Sequence, residues 1–466
     1  MKSNYLKLIV ILFAQLLSIM DIFIINVSIP SIQRDIHASN GQMQLIIAAY
    51  LIGFASFLIT GGRLGDLYGR KKLFIWGLIL FMISSIACAV STSSLFLIIS
   101  RFMQGFSAAL MSPQVLSMIQ ILFPKHEERT KAMGWYGITI GIGTILGQFL
   151  GGYFSSLTFI NEAWRMVFFI NIPICLLAIF LGFKILDESK ITITERFDFF
   201  GVALLALGLF CFTYALTISE HGSFDAKSIV LISISAILLI YFIKNQKNRM
   251  LKSKPYLIDF KLFKYKNFNI GILAVSFFFI MLDSYFYVIS IFFQGGLKIN
   301  PLDSGEIIVF QGFGFILASV FSTKLILRYG KNILILGLTL IIAVLVLQGY
   351  FFTENPSISI LYLLLFIHGI WVGSIIPSLA NIALSGIPKD LMGNASGVYI
   401  TLQQTAAIIG IIIVGSVFYY FLGQKPLFSD YQKAFKIALF TNIICLIAVI
   451  GLILKVPDNI LPKKIL

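Results

Sequence analysis

The chain has 466 residues, 58% of them hydrophobic and 12% charged. No soluble fold of this size hides so much apolar side chain, so lipid is the solvent for most of it and a soluble enzyme or binding module is excluded. The formal net charge of +15 would suggest nucleic-acid binding in a soluble protein, but here the lysines and arginines gather between apolar runs. The side of the membrane on which they lie explains them, and no nucleic-acid partner is expected.

Apolar runs between charged or turn-forming breaks predict fourteen membrane-spanning helices. They lie near 6–29, 42–62, 73–93, 95–120, 131–155, 164–184, 199–219, 226–243, 267–293, 304–327, 332–351, 358–380, 393–421 and 433–455. Each is close to the roughly 20 residues that cross a bilayer core. With both termini cytoplasmic, 27 of the 35 lysines and arginines face the cytoplasm and seven face outward. That bias sets the topology of a multi-pass protein of the cytoplasmic membrane.

The first run follows Lys2 and Lys7, as in a secretory signal, but it continues past Asp21 without a small-residue cleavage site and reads as a retained helix. Asp21 sits eight residues from the outer end of its helix, roughly 12 Å deep at about 1.5 Å per residue. The break after the second run, Gly62 to Lys72, holds Gly62, Asp66, Gly69 and Arg70. Its glycines permit a tight turn, and Asp66 is suited to a helix N-terminus. The loop is either a latch that keeps the cytoplasmic side closed or a plain basic topology loop.

In the fourth run Arg101 lies about 9 Å deep, with Gln104 at similar depth. The fifth carries Gly134, Gly137, Gly141, Gly143, Gly147, Gly151 and Gly152, a spacing that brings membrane helices into close contact. The four cysteines, Cys88, Cys175, Cys211 and Cys445, fall inside apolar runs, so no disulfide framework, metal site or cofactor is expected. Eight lysines and arginines crowd the loop 244–266, which reads as a topology determinant and linker or as a contact for anionic lipid headgroups.

Asp283, in the ninth run, is about 15 Å deep, with Tyr287 one turn on and Gln294 further along the same face. An acid beside aromatic rings suits an organic cation; the alternatives are a second proton site and a polar helix contact. His368 lies at similar depth and reads as a packing residue. A charge at the membrane centre costs about 2.5–3.5 kcal/mol, so each of Asp21, Arg101 and Asp283 needs a partner or a function. Asp21 is read either as a proton carrier or as a static ion pair with Arg101.

Two short similarities repeat along the chain: Leu64 to Arg70 with Leu325 to Lys331, and Ala132-Met133-Gly134 with Leu391-Met392-Gly393. Equivalent helices are then eight apart, which two six-helix halves separated by two inserted helices would produce. The expected organisation is a six-helix bundle over 1–190, two inserted helices over 191–250, and a second six-helix bundle over 251–466.

These motifs resemble the major facilitator superfamily, and within it the fourteen-helix drug:proton antiporter branch. The loop at 62–73 resembles the superfamily's hallmark. Asp21 to Pro30 resembles the branch's first-helix motif, and Arg101-Phe102-Met103-Gln104-Gly105 its fourth-helix motif. Trp164-Arg165 with Phe168, Asn171 and Pro173 resembles the opening of its sixth helix. The resemblance implies an all-α fold of two pseudo-symmetric six-helix bundles plus two inserted helices. It also implies proton coupling through Asp21 and Arg101, and stabilisation of an outward-open state by Asp66 and Arg70. The glycine motif, here Gly143, Gly147, Gly151 and Gly152, normally carries a proline where this chain has Gln148. Leu67 stands where the hallmark usually has arginine, and Leu327 where the second-half copy of that loop would need an acid.

The expected function is proton-coupled efflux of lipophilic, often cationic drugs or other toxic amphiphiles, with Asp283, Tyr287, Gln104 and Gln294 contacting cargo. The alternative is an exporter of a specific metabolite, lipid precursor or siderophore. A monomer is expected to suffice. Membrane potential alone supplies about 2.3 kcal/mol per charge per 100 mV, and no P-loop is present in the sequence.

Overall fold

The computed structural model describes residues 2–157, 159, 161–188, 198–218, 225–252, 254–388, 391–423 and 425–456. Every regular element among them is helical. The helices are α1 (Lys2–Asp35), α2 (Asn40–Tyr68), α3 (Arg70–Ala89), α4 (Ser94–Leu122), α5 (His126–Ser156), α6 (Met166–Phe169), α7 (Asn171–Ile185) and α8 (Phe199–Ile218). They continue with α9 (Ala226–Leu251), α10 (Lys266–Ile291), α11 (Pro301–Tyr329), α12 (Lys331–Phe351), α13 (Ile358–Leu384), α14 (Met392–Leu422) and α15 (Phe428–Leu454).

Twelve spans among the described residues are long and apolar enough to cross a membrane. The helices α8 and α11 accompany them; part of their side chains lies outside the described residues. The break between α6 and α7 has a local cause. Pro173 has no N–H to give to the carbonyl of Phe169, and its ring crowds that carbonyl, so the helix restarts at Asn171.

Between α2 and α3 the predicted loop shrinks to one residue. Helix α2 continues through Gly62 and Gly65 to Tyr68, and Gly69 alone makes the turn with a φ of 100°. Only a residue without Cβ adopts that conformation at no cost. The expectation of a Gly62–Lys72 loop is therefore corrected: Gly62 and Gly65 are helical residues, and a Cβ on Gly65 would lie 2.0 Å from the Gln114 side chain.

The chain divides into two compact units. The first comprises Met1–Ile218 and Phe224–Asp259, so it includes the inserted pair α8 and α9. Within it α2 packs on α4, α1 on α5, α3 on α4 and α7, and α8 on both α9 and α2. The second unit includes Phe260–Leu466 and packs α11 on α13, α10 on α14 and α15, and α12 on α13. The two units use the same device at equivalent pairs. A Cβ on Gly105 of α4 would lie 1.9 Å from the Tyr50 carbonyl of α2, and one on Gly369 of α13 would lie 1.9 Å from the Gln311 carbonyl of α11. With little hydrophobic drive between helices in lipid, such backbone contact supplies the packing.

Candidate functional site: a buried ion pair in the first unit

Four helices converge on Asp21. It lies on α1 with no exposed surface, and Arg101 of α4 is 1% exposed. An Arg101 terminal nitrogen donates to Asp21 Oδ2 in a direct ion pair, and also to Gln104 Oε1 at 2.7 Å. The other carboxylate oxygen accepts from Gln104 Nε2 and Asn171 Nδ2, each at 2.9 Å. Ser85 of α3 accepts from the same two amides at 2.8 and 3.3 Å. The guanidinium also stacks 4.5 Å above the Tyr50 ring of α2, with Phe168 at 5.8 Å.

The physical logic is desolvation offset by saturation. A buried ion pair repays its loss of water only when further hydrogen bonds satisfy its remaining lone pairs and protons. Here the carboxylate receives three donors and the cation faces an aromatic quadrupole. Arg101 Nε and Asn171 Oδ1 remain without partners, so the cluster is not fully saturated.

From sequence, Gln104 is expected to contact cargo. The structure places it, fully buried, as the bridge among Arg101, Asp21 and Ser85. Asn171, Ser85 and Tyr50 are members that sequence reasoning did not assign to the site. An asparagine inside the sixth apolar run was the readable signal for the first; serine and tyrosine are too ordinary in membrane helices to flag.

The glycine motif forms the α1–α5 contact. A Cβ on Gly143 would meet Ile19 at 3.1 Å, on Gly147 the Met20 carbonyl at 2.7 Å, and on Gly151 the Ile24 carbonyl at 2.3 Å. Gly152 is buried beside them. The stripe thus presses α5 against the helix that carries Asp21. Gln148 sits in unbroken helix, 1% exposed, with both polar atoms unpartnered.

The side chain of Asp66 lies outside the described residues. Arg70 donates to the Ser117 carbonyl at 3.2 Å, holding the start of α3 to α4. The carboxylate at the N-terminus of α3 belongs to Glu188, which accepts from the backbone of Lys71 and Lys72, both at 3.2 Å. Lys71 in turn donates to the Phe183 and Leu186 carbonyls at the end of α7, at 3.1 and 2.5 Å. Each residue caps the other's helix, with the charge sign the helix dipole favours.

In the second unit Asp283 is partly buried on α10, and its Oδ2 is buried without a hydrogen-bond partner. Tyr287 is fully buried and directs its hydroxyl to Tyr419 of α14 at 3.3 Å. Gln294 lies on a π-helical turn, Phe292–Gly296, and donates to Ser290 at 3.3 Å. No hydrogen bond joins Asp283 to Tyr287 or Gln294 among the described residues.

A family model described as Major Facilitator Superfamily matches residues 11–411. The chain belongs to this superfamily of transporters. A Streptomyces coelicolor protein described as a probable actinorhodin transporter is 30% identical, over 89% of this chain and 72% of that one. A puromycin resistance protein of Streptomyces alboniger is 28% identical, over 88% and 81%. A riboflavin transporter of Clostridioides difficile is 27% identical over 98% of both chains. The crystal structure of a D-xylose-proton symporter superposes with a TM-score of 0.69 at 16% identity, covering 97% of this chain and 98% of that one, which establishes the shared fold.

Proposed function

We propose that this protein is a proton-driven exporter of lipophilic, often cationic compounds in the cytoplasmic membrane. It works as a monomer with fourteen spans and both termini in the cytoplasm. The observation that carries the reading is the enclosed Asp21 carboxylate, paired with Arg101 and bonded by Gln104 and Asn171. A proton taken from outside neutralises Asp21 and frees Arg101. With cargo released, the site then opens toward the cytoplasm, where the proton leaves and the pair re-forms. Asp21 and Arg101 are the coupling residues, Gln104 and Asn171 position them, and Asp283 with Tyr287 and Gln294 meets cationic cargo. The Gly143–Gly152 face and the Gly62–Arg70 segment serve as sliding contact and cytoplasmic latch, with Glu188 completing the latch.

The relatives described by resistance to puromycin and transport of actinorhodin support export of bioactive organic molecules. A second reading, transport of one specific metabolite, is favoured by the near full-length match to a riboflavin transporter. Everted vesicles with a preformed pH gradient distinguish the two. Graded collapse of the gradient by several chemically unrelated cationic dyes is the result expected of the exporter. A response to flavins alone would select the second reading, and no response to any compound would remove proton exchange.

A further inference from the structure

Away from Asp21, the second unit contains a polar seam whose atoms do not satisfy one another. Gln348 of α12 is fully buried, and its Oε1 accepts from the Tyr285 hydroxyl of α10 at 3.0 Å, while its Nε2 has no partner. The Tyr285 ring stacks on the imidazole of His368 on α13, with centroids 4.5 Å apart and planes inclined by 27°. His368 is fully buried, and neither Nδ1 nor Nε2 meets a hydrogen-bond partner. The neighbouring Ser284 donates to Asn442 of α15 at 3.0 Å, and Asn442 Nδ2 is again unpartnered.

Native interiors leave few buried polar groups unpaired, and lipid surroundings offer them nothing. A neutral imidazole needs an acceptor for its N–H and a donor for its lone pair. Tyr285 supplies neither, because its hydroxyl is given to Gln348 and only its ring face meets His368. The missing partner must accept from Gln348 Nε2 and both accept from and donate to the ring. A carbonyl compound or an anion only accepts; water does both.

We propose that Tyr285, Gln348 and His368 form a hydrated site inside the second unit, with water as its ligand and His368 exchanging protons with that water. Tyr285, from α10, is a titratable side chain stacked directly on His368. The side chains from α12 and α15 in this seam, Gln348 and Asn442, are neutral amides. No carboxylate, lysine or arginine pairs with the ring among the described residues, so its protonation reports on access to water. The site does not depend on the export reading, since hydration of His368 is measurable whether or not the chain moves protons.

Hydrogen exchange at imidazole C2 proceeds through the protonated ring and therefore needs both water and a proton. It is measured by mass spectrometry on the full chain in lipid nanodiscs, with exposed His37 as the internal reference. His368 is expected to exchange within about tenfold of His37; slower exchange marks a dry ring and overturns the proposal. Gln348→Leu is expected to slow His368 by about tenfold and leave His37 unchanged, and an unchanged His368 would remove Gln348 from the site. Tyr285→Phe keeps the stacked ring and frees Gln348 Oε1 for water. It is expected to leave exchange at least as fast, provides the comparison if Gln348→Leu does not accumulate, and overturns the arrangement if His368 becomes protected.

Discussion

Asp21 and Arg101 lie 80 residues apart in the chain and close an ion pair from which water is almost wholly excluded. Removing one partner strands the other charge. Arg101→Ala is expected to destabilise the protein by about 3–5 kcal/mol, the range for breaking a buried pair. Asp21→Asn should be milder, since its amide can keep bonds to neighbours. The double substitution should lose less than the two single losses combined, and thermal unfolding of all four forms in detergent measures that coupling. Additive losses would mean the two side chains act independently.

The α1–α5 contact makes a graded series. Gly151→Ala places a Cβ 2.3 Å from a backbone carbonyl that cannot swing aside, whereas Gly143→Ala meets the Ile19 side chain at 3.1 Å. The first should lower stability by about 1–3 kcal/mol and the second by clearly less, as overpacking predicts. Melting temperatures in one detergent check the order.

Lys7 at the start of α1 holds Asp187 beyond α7 through a hydrogen bond and its charge, which keep the Asp187 carboxyl below the usual aspartate range. Because the folded value is depressed, the contact stabilises above the ordinary aspartate value and fades as pH falls through the folded one. The melting temperature of the wild type should therefore exceed that of Asp187→Asn at neutral pH, and the gap should close on acidification. A gap independent of pH would assign the effect to packing.

Asp283 has a buried oxygen without a partner, so its neutralisation breaks no internal bond among the described residues. Asp283→Asn is expected to leave folding intact and to raise the half-saturating concentration for cationic compounds by at least about tenfold, the worth of a modest charge contact. Uptake assays with a cationic and a neutral dye separate this from a general defect, which would affect both equally.

Much of the fold and of the site is legible in the sequence. Apolar length locates the spans, and charge rarity singles out Asp21, Arg101 and Asp283. Glycine spacing marks the α1–α5 face. What stays hidden depends on pairing across helices. Asn171 and Ser85 carry no charge, so nothing in one dimension says they meet Asp21. Gln104 is polar at the right depth, yet depth cannot tell a cargo contact from a bridge to the neighbouring arginine. The α2–α3 turn reads too long because glycine marks both turns and close helix contacts, and only Gly69 in that segment has a positive φ. Glu188 lies 117 residues beyond Lys71, and its capping role follows from the fold alone.

The central claim is that Asp21 carries the exchanged proton. The most direct measurement reconstitutes the wild type and Asp21→Asn in liposomes, with cargo binding followed by dye fluorescence and lumenal pH by a trapped indicator. The wild type is expected to move protons against cargo, and the Asp21→Asn form to bind cargo while moving none. Equal proton movement by both forms would contradict the claim.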